Sequence, residues 1–276
     1  MKLKVDDIEF NLLLNESDLN RNKTPVVFLH GFTGDSTDWQ FIFDQLPNTM
    51  LPVAVDLIGH GKTDSPSDPV HYTCTAIVHQ LDSIFSQLNF GRIILAGYSM
   101  GGRAALSYCL KHSQRVSAAV LESTTAGIED FSMKKERVEL DLLFADKIKR
   151  EGVESFVNYW FDTPLFESLK NLPNFEEVKG KRIGNSVTGL ANTLSSFSTG
   201  LMMSYWDKLP LLNLPILLIS GEMDAKYTNI NIAMKSKFLN ARHTTVLQCG
   251  HNVHLEKPEL FTKLVIDFLT TPERQS

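Results

Sequence analysis

The chain has 276 residues, a formal net charge of −5, a pI near 5.9, and 43% hydrophobic and 21% charged residues. The net charge is negative and the sequence has no basic tail, so we expect no nucleic-acid partner. No segment approaches the roughly 18 apolar residues of a membrane span, and residues 1–16 lack the apolar core of a signal peptide. These features predict a cytoplasmic protein.

The three cysteines are far apart in the sequence. Cys74, Cys109 and Cys249 are odd in number and form no metal-binding spacing. This pattern favours reduced structural thiols over a disulfide framework or a zinc site.

Short apolar runs in chain order predict a mixed but mostly parallel β-sheet. The first segment, LKVDDIEFNLLLN, alternates like a hairpin and predicts two antiparallel edge strands. Near-continuous apolar runs, typical of buried parallel strands, follow at VVFLH, PVAVDL, RIILAGY, SAAVLES, PILLISG and TTVLQCG. The sequence therefore predicts an α/β fold with eight strands flanked by helices.

This rhythm is interrupted between Leu121 and Leu217, where the sequence becomes helical, charged and aromatic. An insertion of this length is too long for a simple connection and is typical of a functional element. We predict an α/β core in residues 1–126 and 208–276 and an inserted helical lid in residues 127–207. The closing segment, PELFTKLVIDFLTT, predicts a final helix.

The strongest local motif is Gly97-Tyr98-Ser99-Met100-Gly101, between the strand RIILA and the helix GGRAALSYCLKH. A serine in a G-x-S-x-G turn from strand to helix is exposed at the helix N-terminus, where it serves as a nucleophile or base. The glycines supply the space that such a sharp turn needs. The motif therefore marks Ser99 as a candidate catalytic residue.

A catalytic serine needs a histidine and an orienting carboxylate, and both follow at the ends of later strands. Asp224 comes after PILLIS and His251 after TTVLQ, in the order Ser, Asp, His that α/β-hydrolase folds use. His254 and Glu222 are the local alternatives. We prefer His251 and Asp224 because of their positions relative to the strand ends.

Two backbone N–H groups are candidates for an oxyanion hole. One belongs to Met100, directly after the serine, and the other to Phe32 in the Gly-rich loop HGFTG. His30, at the start of this loop, and Asp56 and His60, in DLIGHG, are interpreted as structural residues.

The motifs HGFTGD, DLIGHGKTDSP, GYSMGGRAAL, GEMDAKY and GHNVHLEKPE together resemble the α/β-hydrolase superfamily over nearly the whole chain. Within it, the lid resembles the family of 2-succinyl-6-hydroxy-2,4-cyclohexadiene-1-carboxylate (SHCHC) synthases of menaquinone biosynthesis. The segment ESTTAGIED departs from the Ser-Pro-Gly version more frequent in that family, and Lys134 and Lys135 replace acidic residues.

The resemblance to the synthases implies a set of substrate-binding residues. Arg103 follows the elbow, Arg137 lies in ERVELD, and Arg182 precedes a Gly-Leu-Ala stretch; three arginines would suit a small polyanionic carboxylate substrate. Trp160, in NYWFDTPLF, belongs to the same set, and Tyr98, beside Ser99, is a further substrate contact if its ring lines the pocket. The alternatives are solvent exposure for the arginines, a place in the lid core for Trp160, and packing against the lid for Tyr98.

The resemblance also implies a reaction. Ser99 would act as a general base, activated by His251 and Asp224, and proton abstraction next to a carbonyl would expel pyruvate. Neither a metal nor an organic cofactor is expected, and the protein is expected to be a monomer or small homo-oligomer.

Two other functions fit the same residues. One is hydrolysis of an ester, thioester or carbon–carbon bond through an acyl-Ser99 intermediate, which trapping would reveal. The other is a non-catalytic ligand-binding protein, which a functional Ser99→Ala variant would favour.

Overall fold

The computed structural model describes residues 1–19 and 22–270, and the strands within them form one eight-stranded sheet. The strands are β1 (Lys2–Val5), β2 (Ile8–Leu13), β3 (Thr24–Leu29), β4 (Met50–Val55), β5 (Ile93–Tyr98), β6 (Val116–Glu122), β7 (Ile216–Gly221) and β8 (Ala241–Val246). Their order across the sheet is β1-β2-β4-β3-β5-β6-β7-β8.

The pairing of the strands explains both sequence patterns. The alternating segment forms the antiparallel pair β1–β2, and β2 is also antiparallel to β4. All pairs from β4 to β8 are parallel. The central strands are buried on both faces, which is why their sequences are apolar without alternation. The predicted α/β fold with a mostly parallel, eight-stranded sheet is confirmed.

Nine α-helices in the described residues flank the sheet or lie beyond the carboxyl ends of its strands. They are α1 (Gln40–Phe43), α2 (Cys74–Gln87), α3 (Met100–Lys111), α4 (Phe131–Phe161), α5 (Phe175–Ile183), α6 (Val187–Ser196), α7 (Ala225–Lys237), α8 (Val253–Glu256) and α9 (Pro258–Thr270). None of the described helices is both long and apolar enough to cross a membrane.

The sheet separates two apolar layers. Val27 and Leu29 of β3 join the layer that includes α2 and α3, whereas Val26 and Phe28 join the layer that includes α9. This division follows from the two-residue period of a strand. Because the strands from β4 to β8 are parallel, their carboxyl ends lie at one edge of the sheet, and the loops carrying Ser99, Asp224 and His251 emerge there.

Residues 123–215, between β6 and β7, form the insertion and contain α4, α5 and α6. Helix α4 is kinked at Gly152, whose φ of 83° interrupts the helical backbone. The insertion has an apolar cluster of its own, which includes Ile148, Phe156 and Leu190. It therefore packs as a small helical unit above the sheet.

Helix α6 attaches this unit to the core. A side chain at Gly189 would collide with the carbonyl oxygen of Gly59, so the two backbones touch. The Asn192 amide donates hydrogen bonds to the carbonyls of Pro66 and Ser67, at 3.3 and 3.1 Å. The close approach requires glycine on α6.

Candidate active site

Ser99 lies in the sharp turn between β5 and α3. Its φ of 49° and ψ of −104° are rare for a residue with a side chain, and such a conformation costs about 1–3 kcal/mol. A side chain at Gly97 would meet the backbone of Gly101, and one at Gly101 would meet the carbonyl of Leu29. These glycines permit the turn that presents the serine.

The structure brings Ser99, His251 and Asp224 into one hydrogen-bonded chain. His251 Nε2 lies 3.1 Å from Ser99 Oγ, and His251 Nδ1 lies 2.6 Å from Asp224 Oδ2. The side chain of Asp224 is buried, and so is that of His251. A proton on Nδ1, donated to the carboxylate, leaves Nε2 free to accept the serine proton.

The two alternative residues have other partners. His254 lies in the short helix α8, before the closing helix, and its Nδ1 and backbone N–H contact Glu122 Oε1 at 2.9 and 3.0 Å. Glu222 accepts a hydrogen bond from the Gln248 N–H at 3.0 Å. The geometry therefore favours His251 and Asp224 as the partners of Ser99.

The two proposed oxyanion donors belong to residues that line the cavity above Ser99. Met100 begins α3, so its N–H is one of the amides that have no acceptor within the helix. Phe32 follows β3, and its ring packs edge-on against Phe156 and Trp160 of the insertion.

The cavity has a volume of about 310 Å³ and lies between the strand ends and the insertion. The core contributes Ser99, Arg103 and His251 to its wall, and the insertion contributes both polar and aromatic side chains. Those from the insertion include Arg137, Asp141, Phe144, Trp160, Thr193, Phe197, Ser198 and Thr199.

Arg103 is a buried cation without an ion-pair partner among the described residues. Its Nη1 donates to the Phe197 carbonyl at 2.8 Å, and its guanidinium lies 4.3 Å from the centre of the Phe197 ring. Burial, together with the charge of Arg137, lowers the pKa of Arg103 to about 10, so the side chain stays charged at neutral pH. Such a site favours an anion.

Arg137 lines the same cavity but carries a partner. Its Nε donates to Asp141 Oδ2 at 2.8 Å, and the Asp141 side chain is only 1% exposed. The pair orients the guanidinium of Arg137 while cancelling part of its charge.

The structure does not place Arg182 in the lining of this cavity. Its Nη2 forms an ion pair with Asp38 at 2.8 Å, and the side chains are 4% and 8% exposed. The expectation that three arginines converge on the pocket is therefore corrected to two. Arg182 instead joins α5 of the insertion to the loop after β3.

The two aromatic candidates, Trp160 and Tyr98, differ in their position relative to the cavity. Trp160 lines the cavity and packs against Phe32 and Phe156. Tyr98 lies outside the lining, with its ring 5.2 Å from that of His251 and 4.7 Å from that of His254. Tyr98 therefore packs beside both histidines, and Arg182 of the insertion lies near enough to act on the pKa of its phenol.

The residues interpreted as structural have buried partners. His30 Nε2 accepts the Leu57 N–H at 2.9 Å, which leaves its Nδ1 to donate to the Gly31 carbonyl. Asp56 accepts hydrogen bonds from the backbone of Ser36 and Lys62. Burial is the main cause that lowers the pKa of His60 to about 3.

The lining residues that the sequence analysis missed include two from the core, Lys226 and Tyr227, besides those from the insertion. Both lie in the first turn of α7, directly after Asp224. Their position two and three residues after the triad carboxylate is the signal that could have indicated them.

Residues 24–258 match the family model described as the α/β hydrolase fold. The chain therefore belongs to the α/β hydrolase family. Solved structures at low identity share only the fold; the enol-lactonase from Burkholderia xenovorans LB400 is 20% identical, with a TM-score of 0.84 and coverage of 98% of this chain and 100% of that chain.

Relatives with higher sequence identity carry more specific names. A protein of Bacillus subtilis (strain 168), named provisionally as an SHCHC synthase, is 42% identical over 248 residues, covering 89% of this chain and 90% of its own. The SHCHC synthase of Serratia proteamaculans (strain 568) is 27% identical over 90% of this chain and 93% of its own. The structure of MenH from S. aureus is 30% identical, with a TM-score of 0.88 and coverage of 94% of this chain and 97% of that chain.

Proposed function

We propose that this enzyme is a carbon–oxygen lyase of menaquinone biosynthesis. It eliminates pyruvate from 2-succinyl-5-enolpyruvyl-6-hydroxy-3-cyclohexene-1-carboxylate and so forms SHCHC. The carrying observation is Arg103, a buried cation with no carboxylate partner in the described residues, in the same cavity as Ser99 and His251. The similarity to SHCHC synthases supports the same reaction.

The bonds that form and break follow from the chemical structures of the substrate and the product. The ring double bond of the substrate joins C3 and C4, whereas those of the product join C2 to C3 and C4 to C5. A proton must therefore leave C2, the electrons shift along the ring, and the bond from C5 to the enolpyruvyl oxygen breaks. C2 carries the succinyl carbonyl, which makes its proton acidic. The released enolpyruvate takes up a proton and becomes pyruvate.

Ser99 is positioned to remove the C2 proton. As its oxygen takes that proton, its own proton passes to His251 Nε2, 3.1 Å away, and Asp224 stabilises the resulting imidazolium. The protonated His251 then supplies the proton that enolpyruvate needs, so the catalytic residues return to their starting state.

Negative charge develops on the succinyl carbonyl oxygen when C2 loses its proton. The N–H groups of Phe32 and Met100 are the donors we assign to this oxygen, and one such donor typically contributes about 3 kcal/mol to transition-state stabilisation. Enolate stabilisation therefore uses the same arrangement that acyl transfer uses in related folds.

The substrate carries three carboxylates, on the succinyl, enolpyruvyl and ring positions. Arg103 and Arg137 bind carboxylates, because both guanidiniums line the cavity, and Trp160 provides an apolar wall. Residues 127–207 act as the lid that keeps water from the enolate. We place the enzyme in the cytoplasm.

Pyruvate release tests this function. Wild-type protein given the enolpyruvyl substrate should release pyruvate, measured by coupling to lactate dehydrogenase, and Ser99→Ala should lower kcat at least about 1,000-fold. Ser132→Ala, at an exposed position of α4, is the matched control and should keep full activity. Equal rates for Ser99→Ala and the wild type would exclude serine as the base.

Hydrolysis through an acyl-enzyme is the second candidate, because the observed Ser99–His251–Asp224 geometry would also activate a nucleophile. The mass of the enzyme during turnover separates the two. An adduct on Ser99 would indicate hydrolysis, whereas unmodified protein with pyruvate release indicates elimination.

A further inference from the structure

Tyr227 is an aromatic side chain of the cavity that the proposed mechanism does not use. It lies in the first turn of α7, and its backbone N–H donates to Asp224 Oδ1 at 3.2 Å. Its ring centre lies 4.6 Å from that of His251. The side chain is thus fixed between the triad and the cavity.

The backbone of Tyr227 is held rigidly. The buried side chain of Asn231 donates to the Tyr227 carbonyl at 2.7 Å and to the Thr124 carbonyl at 3.2 Å. A phenol whose backbone is anchored and whose ring packs on His251 loses little conformational freedom when it binds a ligand.

The charged groups that act on Tyr227 are two cations, Arg137 and Arg103, and two carboxylates, Asp224 and Asp141. Burial raises the pKa of the phenol, while the charges of Arg137 and Arg103 act in the opposite direction. The net result is a protonated hydroxyl close to two cations. Within residues 1–19 and 22–270, this hydroxyl donates to no other side chain or carbonyl, so it is an available donor.

We propose that Tyr227 Oη donates a hydrogen bond to the substrate carboxylate that Arg103 and Arg137 bind. This assignment rests on the proposed function and extends it by one residue. A carboxylate offers about four acceptor positions, so it accepts donors from two guanidiniums and a phenol at once. Because Asp141 neutralises part of the charge of Arg137, the substrate carboxylate can also accept a hydrogen bond from a neutral donor.

Lys226 is the competing donor in the same turn. It also lines the cavity, but its side chain is exposed and its Nζ lies 5.6 Å from the centre of the Tyr227 ring. A solvent-exposed ammonium group gains little free energy from binding an anion, because water screens its charge. A donor inside the cavity is screened less. Tyr227 is therefore the better-placed specificity residue.

The test removes only the hydroxyl. Tyr227→Phe should raise KM for the enolpyruvyl substrate about tenfold and change kcat less than about twofold, because the hydrogen bond exists before and during proton transfer. Tyr159→Phe, at an exposed position of α4 outside the lining, is the matched control. An unchanged KM in Tyr227→Phe with active wild type overturns the assignment.

A binding measurement separates this proposal from the proposed function. Tricarballylate, a tricarboxylate that cannot react, should bind the wild type about tenfold more tightly than Tyr227→Phe by calorimetry. If the wild type releases no pyruvate, the proposed function fails, and this comparison still tests Tyr227. Equal affinities would refute its role as a carboxylate ligand.

A double-mutant cycle gives the third readout. If Tyr227 and Arg103 hold the same carboxylate, the effect of Tyr227→Phe on tricarballylate affinity should shrink at least about threefold in an Arg103→Met background. A full effect in that background would place the hydroxyl on a different part of the ligand and contradict the assignment.

Discussion

Replacing Arg182 by methionine should destabilise the protein rather than weaken substrate binding. Arg182 Nη2 and Asp38 Oδ1 are 2.8 Å apart, and both side chains are almost fully buried. At an effective dielectric constant near 20, charges at this distance attract by about 6 kcal/mol. Because desolvation offsets much of that, the cost of Arg182→Met is set by the uncompensated Asp38 carboxylate, about 3–5 kcal/mol.

Urea unfolding followed by circular dichroism measures this cost. Arg182→Met should lose about 3–5 kcal/mol of unfolding free energy, and adding Asp38→Asn should recover at least about half of it, because the buried charge is gone. KM should stay within about threefold of the wild type where the variant is folded. Wild-type stability combined with a KM raised tenfold or more would show that Arg182 binds substrate and would refute the structural assignment.

Three further changes give distinct outcomes. Arg103→Met should raise KM at least about tenfold in the pyruvate assay but lose less than about 1 kcal/mol of stability in urea, because it removes a buried cation without a carboxylate partner. Gly189→Ala should lose about 2 kcal/mol, since its clash with the Gly59 carbonyl outweighs the gain in helix propensity, whereas Gly180→Ala, with open space around it, should gain up to about 1 kcal/mol in the same measurement. Acid should also weaken the fold: the pKa of His60 is about 3 in the folded state and about 6.5 in the unfolded state, so the unfolded chain binds the extra proton as pH falls below 6.5. The free energy of unfolding should drop by about 2 kcal/mol from this residue between pH 6.5 and 4.5, and His60→Asn should flatten that decline; an unchanged slope would contradict the burial of a neutral His60.

The fold was largely predictable because its signals are local. Parallel strands buried on both faces require apolar runs, and the elbow around Ser99 requires glycines where backbones touch. The order of Ser99, Asp224 and His251 was predictable for the same reason, since each follows a strand and the carboxyl ends of parallel strands share one edge of the sheet.

The wall of the cavity was less predictable because it depends on how the insertion packs on the core. Arg182 lies on α5, and the sequence does not show that this helix turns the guanidinium toward Asp38 and away from the cavity. Tyr227 was not predicted to line the cavity because its neighbours, Arg103 and Arg137, lie on two helices that are distant in the sequence. The sequence alone does not show that residues of distant helices lie close together in the fold.

Simultaneous measurement of both products tests the central claim most directly. The enolpyruvyl substrate should yield one pyruvate for each conjugated diene, the first followed by lactate dehydrogenase and the second by ultraviolet absorbance. Wild-type protein should form both at the same rate, and Ser99→Ala should form neither above background. Absence of both products from wild-type protein that hydrolyses simple esters would contradict the account and make the protein a hydrolase.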